Sequence, residues 1–231
     1  MKDQITIQER EGAFSAYIAR PKSLPAAAVI VLHEVFGVNS DIRKTCDELA
    51  GEGFIAVAPD LFWRQEPGVD LGVNSEPDWQ HGLRLYQAYD RDAGVGDIKD
   101  TLDAVARLPD CTGKLAVQGY CFGALMTFLT AVRCRIDAAV AYHGADTEKY
   151  LGEVDNLHAP FLMHLGEEDE FISKAAQTQI KAALAGKPDA TVYSYPGQHH
   201  AFARHKGAHY DAAAAALANG RTSNFLHRHL A

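Results

Sequence analysis

The sequence predicts an α/β fold in which a mostly parallel, twisted sheet is covered by helices on both faces. Apolar runs of strand length alternate with segments of helical periodicity, and the connections between them are short. The run at residues 26–32 is aliphatic throughout, as is typical of a parallel strand buried on both faces. Because such sheets bind ligands beyond the carboxyl ends of their strands, residues that follow the strands are the candidates for a functional site.

Length and composition favour one globular domain over residues 1–231, since 47% of the 231 residues are apolar and no linker or repeat divides them. The net charge of −8 at pH 7 argues against nucleic acid and anionic membrane surfaces as partners. The amino terminus lacks the apolar core of an export signal, and no apolar run is long enough to span a bilayer. The four cysteines form no CxxC pair, so we expect reduced thiols in a cytoplasmic protein.

The first half of the chain contains three predicted strands. They are an edge strand at 13–19 and buried strands at 26–32 and 54–58. We expect a helix from Asp41 to about Glu52, capped by Asn39 or Ser40. Residues 61–93 lose the periodicity and predict an active-site loop with a short helix near 80–89. Apolar residues return to helical spacing at 97–108.

The second half continues the alternation of strands and helices. Strands are predicted at 114–118, 136–142, 161–165 and 190–195. Helices are predicted at 124–131, at 173–185 with Ser173 as the cap, and at 211–230 with a break near Asn219-Gly220.

The segment Gly119-Tyr120-Cys121-Phe122-Gly123, here called the elbow, lies between a predicted strand and a predicted helix. A reactive residue flanked by glycines at such a turn is typical of a nucleophile elbow. The turn strains the backbone and needs flanking residues without side chains. The helix amino terminus also favours a thiolate over a thiol. The pattern therefore predicts Cys121 as a nucleophile, although cysteine is more often a small buried hydrophobic residue.

Five reactive residues follow predicted strands: Glu34, Cys121, His143, Asp169 and His200. A thiol nucleophile needs a base, and the base needs a group that orients it. Asp169 follows one buried strand and His200 the next, and the order nucleophile, acid, histidine is that of the α/β-hydrolase arrangement. His199 competes with His200, and spacing alone does not decide between them.

The histidines near the carboxyl end also suggest a zinc site, with His205 and His209 spaced i,i+4 beyond the pair His199-His200. No cysteine lies close by in the sequence and no His-Glu-x-x-His is present, so we predict no metal. The oxyanion would need two N–H donors, for which the backbones of Phe122 and of Val35 or its neighbour are the candidates.

These residues resemble dienelactone hydrolase (carboxymethylenebutenolidase), a family within the α/β-hydrolase fold. The similarity extends from about Ala13 to Leu226. The motifs that carry it are Glu34-Val35-Phe36-Gly37-Val38-Asn39, Ala58-Pro59-Asp60-Leu61, Ala93-Gly94-Val95-Gly96-Asp97, Gly119-Tyr120-Cys121-Phe122-Gly123, Gly166-Glu167-Glu168-Asp169, Tyr195-Pro196-Gly197 and His200-Ala201-Phe202-Ala203-Arg204.

The resemblance implies that Cys121 is the nucleophile, His200 rather than His199 the base, and Asp169 the residue that orients it. It implies that Glu34 interacts with the resting thiol, either holding it protonated or helping to deprotonate it. Arg204 matches an arginine that binds a substrate carboxylate. The implied reaction opens a cyclic enol ester through a thioester on cysteine, without a metal or organic cofactor.

The match is altered where the family binds its substrate. A second arginine of the family falls on or near Trp79, with Arg84 one helical turn away. A tyrosine of the family aligns near Leu83, with Tyr86 close by. Ala201 stands where the family often has serine. Arg84 and Tyr86 are therefore candidates for substrate binding, and the substrate-binding positions depart from the family pattern more than the hydrolytic residues do.

The sequence thus predicts a cytoplasmic cysteine hydrolase of esters or lactones, a carboxylesterase that resembles carboxymethylenebutenolidase. Its partner would be a small-molecule ester or lactone, with or without a carboxylate group. The alternative is a binding module that traps a small acid or lactone without turning it over. A thiol redox protein ranks last because there is no resolving CxxC.

Overall fold

A computed structural model describes residues 4–231, which form eight strands, six α-helices and one 3₁₀ segment at Thr147–Asn156. The strands are β1 (Gln4–Glu9), β2 (Gly12–Ala19), β3 (Ala26–Leu32), β4 (Ile55–Pro59), β5 (Cys111–Tyr120), β6 (Ala138–Tyr142), β7 (Phe161–Gly166) and β8 (Ala190–Tyr195). The helices are α1 (Ser40–Gly51), α2 (Glu76–Ala88), α3 (Arg91–Ala106), α4 (Phe122–Arg133), α5 (Lys174–Ala185) and α6 (Ala212–Leu230).

The chain divides into two compact units, one ending at Ala116 and the other beginning at Val117. Strand β5 contributes its first part to the first unit and its last part to the second. The single domain over 1–231 that the sequence favours stays a prediction.

In the first unit, the strands lie in the order β1-β2-β4-β3, followed by the first part of β5. The β1–β2 and β2–β4 pairs are antiparallel, and β3 pairs with β4 in parallel. All seven residues of β3 are buried, as the aliphatic run predicts. Helix α1 packs on β4, and its cap is Asn39 rather than Ser40, because Oδ1 of Asn39 accepts the N–H groups of Asp41 and Ile42.

One expectation for the first strands is wrong, and one strand was missed. The strand predicted at 13–19 is β2, which pairs with both β1 and β4 and is not an edge strand. Its outer neighbour β1 was not predicted from the sequence. Most side chains of β1 are polar, and Ile7 is its one buried residue, so its apolar pattern is too weak to reveal a strand.

The segment expected to be an irregular loop at 61–93 contains more helix than predicted. Helix α2 begins after Ser75, whose Oγ accepts the N–H of Asp78, and it extends beyond the short helix expected near 80–89. Helix α3 begins at Arg91 rather than near residue 97, because Oδ1 of Asp90 caps it. Glycines at 94 and 96 hide this first turn in the sequence.

In the second unit, the strands lie in the order β5-β6-β7-β8, with β6–β7 and β7–β8 parallel. Every residue of β6 and β7 is buried. Helix α4 packs on β6 and is buried from Phe122 to Val132, so it forms the apolar centre of this unit. Helix α5 begins as predicted, with Oγ of Ser173 accepting the N–H of Ala176.

The break predicted near Asn219-Gly220 is wrong, because α6 continues through both residues. Ala218 and Thr222 are buried where α6 packs on β6 and β7. The hydroxyl of Tyr142, at the end of β6, donates to Oδ1 of Asn219 at 3.0 Å. These contacts outweigh the cost of about 1 kcal/mol that glycine brings to a helix interior. Across residues 4–231, no helix has both the length and the hydrophobicity needed to cross a bilayer.

Packing around α4 should control the stability of the second unit. Leu129 in α4 is fully buried, whereas Leu217 in α6 is 50% exposed. We expect Leu129→Ala to lower the free energy of unfolding by about 2–5 kcal/mol, because it leaves a cavity. The matched variant Leu217→Ala should change it by less than about 0.5 kcal/mol. Urea unfolding followed by circular dichroism checks both values, and equal losses would contradict the packing described here.

Candidate active site

The elbow places Cys121 between β5 and α4 with an unusual backbone. Its φ of 52° lies in the left-handed region, where a residue with a side chain is strained by about 1–3 kcal/mol. The Cys121 N–H donates to the carbonyl of Tyr142 at 3.0 Å, and its own carbonyl accepts the N–H of Ala124 at 3.0 Å. A Cβ on Gly119 would overlap the carbonyl of Gly123, so glycine is needed at 119. These contacts hold the partly exposed thiol at the amino end of α4.

Asp169 and His200 form a buried pair near the ends of β7 and β8. Nδ1 of His200 lies 2.8 Å from Oδ2 of Asp169 and 3.0 Å from Oδ1, so the ring N–H donates a hydrogen bond to the carboxylate. Oδ1 of Asp169 also accepts the N–H groups of Phe171 and Ile172 at 2.9 and 3.1 Å. The carboxylate is therefore fixed by the backbone and in turn fixes the orientation of the imidazole.

The pKa of Asp169 lies below its ordinary value. Burial alone would raise the pKa of Asp169. The hydrogen bond and the charge of His200 lower it by more than burial raises it, and His143 and the backbone N–H of Phe171 also lower it. Asp169 is consequently an anion at neutral pH and stabilises a positive charge on His200.

The sulfur of Cys121 lies near enough to His200 to raise the pKa of the imidazole. The second ring nitrogen of His200, Nε2, is buried and has no hydrogen-bond partner among residues 4–231, so it is the ring nitrogen that can exchange a proton with the sulfur. Burial lowers the pKa of His200. The charge of the Cys121 sulfur, followed by the hydrogen bond to Asp169, outweighs burial and raises the pKa of His200 to about 10. The arrangement therefore favours a positively charged His200 at neutral pH.

The structure distinguishes between the two adjacent histidines. His200 is the one that contacts Asp169, whereas the exposed His199 lies with its Nδ1 3.7 Å from Glu170. The turn that carries them ends in an unusual conformation, since Ala201 has a φ of 59°. The adjacent side chains of His199 and His200 thus have different partners, Glu170 and Asp169, which spacing in the sequence could not show.

His143 lies against the imidazole of His200. It follows β6, is fully buried, and has a φ of 44°. The two rings meet edge-on with their centroids 4.7 Å apart. The His143 N–H donates to the carbonyl of His164 at 2.8 Å, which fixes the strained backbone. The sequence marks His143 as a strand-end candidate without a role, and its contact with His200 makes it part of this site.

Phe171 is a site residue that the sequence analysis missed. Its side chain is 50% exposed and packs edge-on against His200, with ring centroids 4.8 Å apart. The available signal was a large aromatic residue two positions after Asp169. Phe171 offers apolar surface beside the imidazole, where part of a small ester could pack.

The other predicted site residues occupy four places. Phe122 is the first residue of α4, and Arg204 lies half-buried in the turn after His200. Glu34 and Val35 are buried in the first unit, in the loop after β3. Arg84 and Tyr86 lie on α2 of the first unit, where the guanidinium of Arg91 covers the Tyr86 ring. The roles predicted for all six stay predictions.

Comparison with known proteins agrees with this architecture. A crystal structure from Klebsiella pneumoniae, of a protein assigned to the dienelactone hydrolases, superposes with a TM-score of 0.87 over 97% of each chain at 27% sequence identity. That similarity confirms the predicted α/β-hydrolase fold.

The family model for dienelactone hydrolases matches residues 14–230. A protein of Azospirillum brasilense assigned as a carboxymethylenebutenolidase is 39% identical over 95% of each chain. The carboxymethylenebutenolidase of Pseudomonas putida is 36% identical over 98% of this chain and 96% of its own. The chain belongs to the dienelactone hydrolase family, and it is thus a hydrolase of the carboxylic ester and lactone class.

The pKa of His200 should depend on the sulfur of Cys121. In the unaltered protein we expect the imidazolium to persist through neutral pH and to lose its proton near pH 10. In Cys121→Ser the charge contributed by the sulfur is lost, so burial has more weight and the pKa of His200 falls. Histidine NMR resonances followed over pH measure this shift, with Cys111→Ser as the control that leaves it unchanged. An unaltered midpoint in Cys121→Ser would show that the sulfur does not control the pKa of His200.

Proposed function

We propose that the chain hydrolyses esters or lactones with Cys121 as nucleophile, through a thioester intermediate. The observation that supports this most is the setting of His200, whose Nδ1 lies 2.8 Å from Oδ2 of the anionic Asp169 and whose pKa is raised by the nearby sulfur of Cys121. Nucleophile, base and orienting acid then occur in the order typical of α/β-hydrolases.

In the first step, the Cys121 thiolate attacks the carbonyl carbon of the ester. The carbonyl π pair moves to oxygen and forms a tetrahedral oxyanion. When the oxyanion collapses, the bond to the leaving oxygen breaks and His200 protonates that oxygen from Nε2. In a lactone the leaving oxygen stays attached to the acyl group, so the ring opens while the acyl group remains on sulfur.

In the second step, water hydrolyses the thioester. Neutral His200 removes a proton from water as the oxygen attacks the acyl carbon. Collapse of this second oxyanion expels the thiolate and releases a carboxylic acid, and the imidazolium is restored beside the sulfur. Asp169 keeps the proton on Nδ1 throughout, so Nε2 is the nitrogen that exchanges protons.

Two backbone N–H groups would stabilise the oxyanion in both steps. Phe122 follows the nucleophile and begins α4, where the helix dipole favours negative charge. Val35 is proposed as the second donor because of the family resemblance. Glu34 is proposed to interact with the resting thiol on the same basis.

We propose small enol esters or lactones as the substrates. Relatives are named carboxymethylenebutenolidase, and that name is the basis for a carboxylated enol lactone. An enolate is a good leaving group, so such esters suit a thiolate better than amides do. Arg204 is proposed to bind the carboxylate, with Arg84 and Tyr86 as further binding residues. The reaction needs only side chains, N–H groups and water, and the cytoplasmic location remains part of the proposal.

Removal of the sulfur should abolish hydrolysis. We expect Cys121→Ala to show no turnover of an aryl or enol ester, and Asp169→Asn to reduce kcat by about 10³-fold or more, because it no longer orients His200. Spectrophotometric ester hydrolysis measures both, and Cys134→Ala is the matched control with unchanged activity. Retained turnover in Cys121→Ala would refute the nucleophile.

Iodoacetamide labelling separates this enzyme from a non-catalytic binding module. The thiolate of Cys121 should be alkylated faster than Cys46, which is fully buried and whose pKa burial raises. Mass spectrometry of labelled peptides gives both rates. Slow labelling of Cys121, no faster than that of Cys46 or Cys134, would favour the binding module.

Arg204 should determine a preference for carboxylated substrates. We expect Arg204→Ala to raise KM for a carboxylated lactone by about tenfold or more, through the loss of a charge-assisted hydrogen bond, while an uncharged ester is hydrolysed as before. Lys206→Ala, in the same turn but more exposed, is the control. Equal effects on both substrates would show that Arg204 does not bind the carboxylate.

A further inference from the structure

Three side chains beside the catalytic pair form a second cluster, here called the surface triad: Glu170, His199 and His209. Oε1 of Glu170 lies 3.3 Å from Nδ1 of His209, and Oε2 lies 3.7 Å from Nδ1 of His199. The two imidazole rings have their centroids 4.8 Å apart. All three side chains are exposed. The catalytic steps proposed above use none of them.

The three potential ligand atoms all lie within 4.8 Å of one another. Zinc binds imidazole nitrogens and carboxylate oxygens at about 2.0–2.2 Å, so ligand atoms of a tetrahedral site are about 3.3–3.5 Å apart. Small side-chain rotations would therefore bring these atoms to coordinating distance. Because the residues are exposed, water can fill the remaining coordination position and ions can enter from solvent.

The backbone of the turn already holds two of these ligands. Oε2 of Glu170 accepts the N–H of His200 at 3.1 Å, and Nδ1 of His209 lies 3.2 Å from the carbonyl of His200. The N–H bond to Oε2 orients the Glu170 carboxylate, and outer contacts of this kind strengthen metal binding.

We propose that Glu170, His199 and His209 form a binding site for a divalent transition metal ion of the zinc type. Two neutral imidazoles and one carboxylate suit Zn²⁺, Co²⁺, Ni²⁺ or Cu²⁺, whereas Mg²⁺ favours a set of oxygen ligands. Coordination through Nδ1 of His209 breaks its contact with the His200 carbonyl, and the ring proton moves from Nδ1 to Nε2 through solvent, so the imidazole stays neutral. The metal then links the turns that carry Asp169 and His200, since Glu170 and His199 are their direct neighbours in the chain.

This site differs from the zinc arrangement that the sequence suggested. That arrangement combined the pair His199-His200 with His205 and His209, but the structure places His205 against Tyr210, with ring centroids 6.1 Å apart, and outside the cluster. His205 therefore serves as a matched control, because it is a histidine in the same turn that the proposed site does not use.

The test uses the full chain in a Cys121→Ala background, which removes the active-site thiol as a competing zinc ligand. Isothermal titration calorimetry with Zn²⁺ should show one ion bound per chain. We expect Glu170→Gln, His199→Ala and His209→Ala each to weaken binding by about tenfold or more, and His205→Ala to leave it unchanged. Mg²⁺ should give no binding heat at the same concentrations.

Thermal unfolding provides a readout that is independent of activity. Saturating Zn²⁺ should raise Tm in the Cys121→Ala protein and in His205→Ala, but not in the three ligand variants. Each variant should unfold cooperatively without metal, which shows that it is folded. Zinc affinity unchanged by the ligand substitutions, or reduced equally by His205→Ala, would overturn the proposal, while the hydrolase function would be unaffected.

Discussion

The rest of this site depends on the interactions of His200 with the Asp169 carboxylate and with the nearby sulfur of Cys121. A buried imidazole is normally neutral, because burial penalises its charged form. Here the Cys121 sulfur and Asp169 reverse that preference. The backbone N–H groups of Phe171 and Ile172 in turn keep Asp169 in place and charged. The charge and orientation of each group in the proposed mechanism therefore depend on the groups that contact it.

The order of the strands and one strained residue place the groups of this site at one edge of the sheet. The parallel strands β6, β7 and β8 end at one edge of the second unit, and His143, Asp169 and His200 follow them there. Cys121 reaches the same edge because β5 turns directly into α4 through a left-handed residue. The apolar packing of α4, which is buried from Phe122 to Val132, offsets the strain of that turn.

Sequence reasoning identified the parts that depend on local chemistry. The glycines of the elbow, the capping side chains Asn39 and Ser173, and the aliphatic run of β3 each act within a few residues, so their patterns predict structure directly. Asp169 and His200 were found because a parallel sheet brings the ends of successive strands together. The predicted order of catalytic groups therefore followed from the fold class.

The features that were missed depend on contacts between distant parts of the chain or on unusual backbone. Helix α6 continues through Gly220 because Ala218 and Thr222, on either side of this glycine, are buried where the helix packs on β6 and β7. The contacts of His143 and Phe171 with His200 arise only when three strands and their turns assemble. Ala201 and Lys206 adopt positive φ without being glycine, so the paths of the turns that place His199 and His209 beside Glu170 had no signal in the sequence.

The central claim is that the acyl group passes through the sulfur of Cys121, and trapping that intermediate tests it most directly. An ester that acylates quickly and deacylates slowly, quenched in acid within one turnover, should add the mass of its acyl group to the peptide that contains Cys121. Neutral hydroxylamine, which cleaves thioesters, should remove that mass. Full turnover with no acylated Cys121 peptide at any time point, or acylation at another residue, would contradict the account.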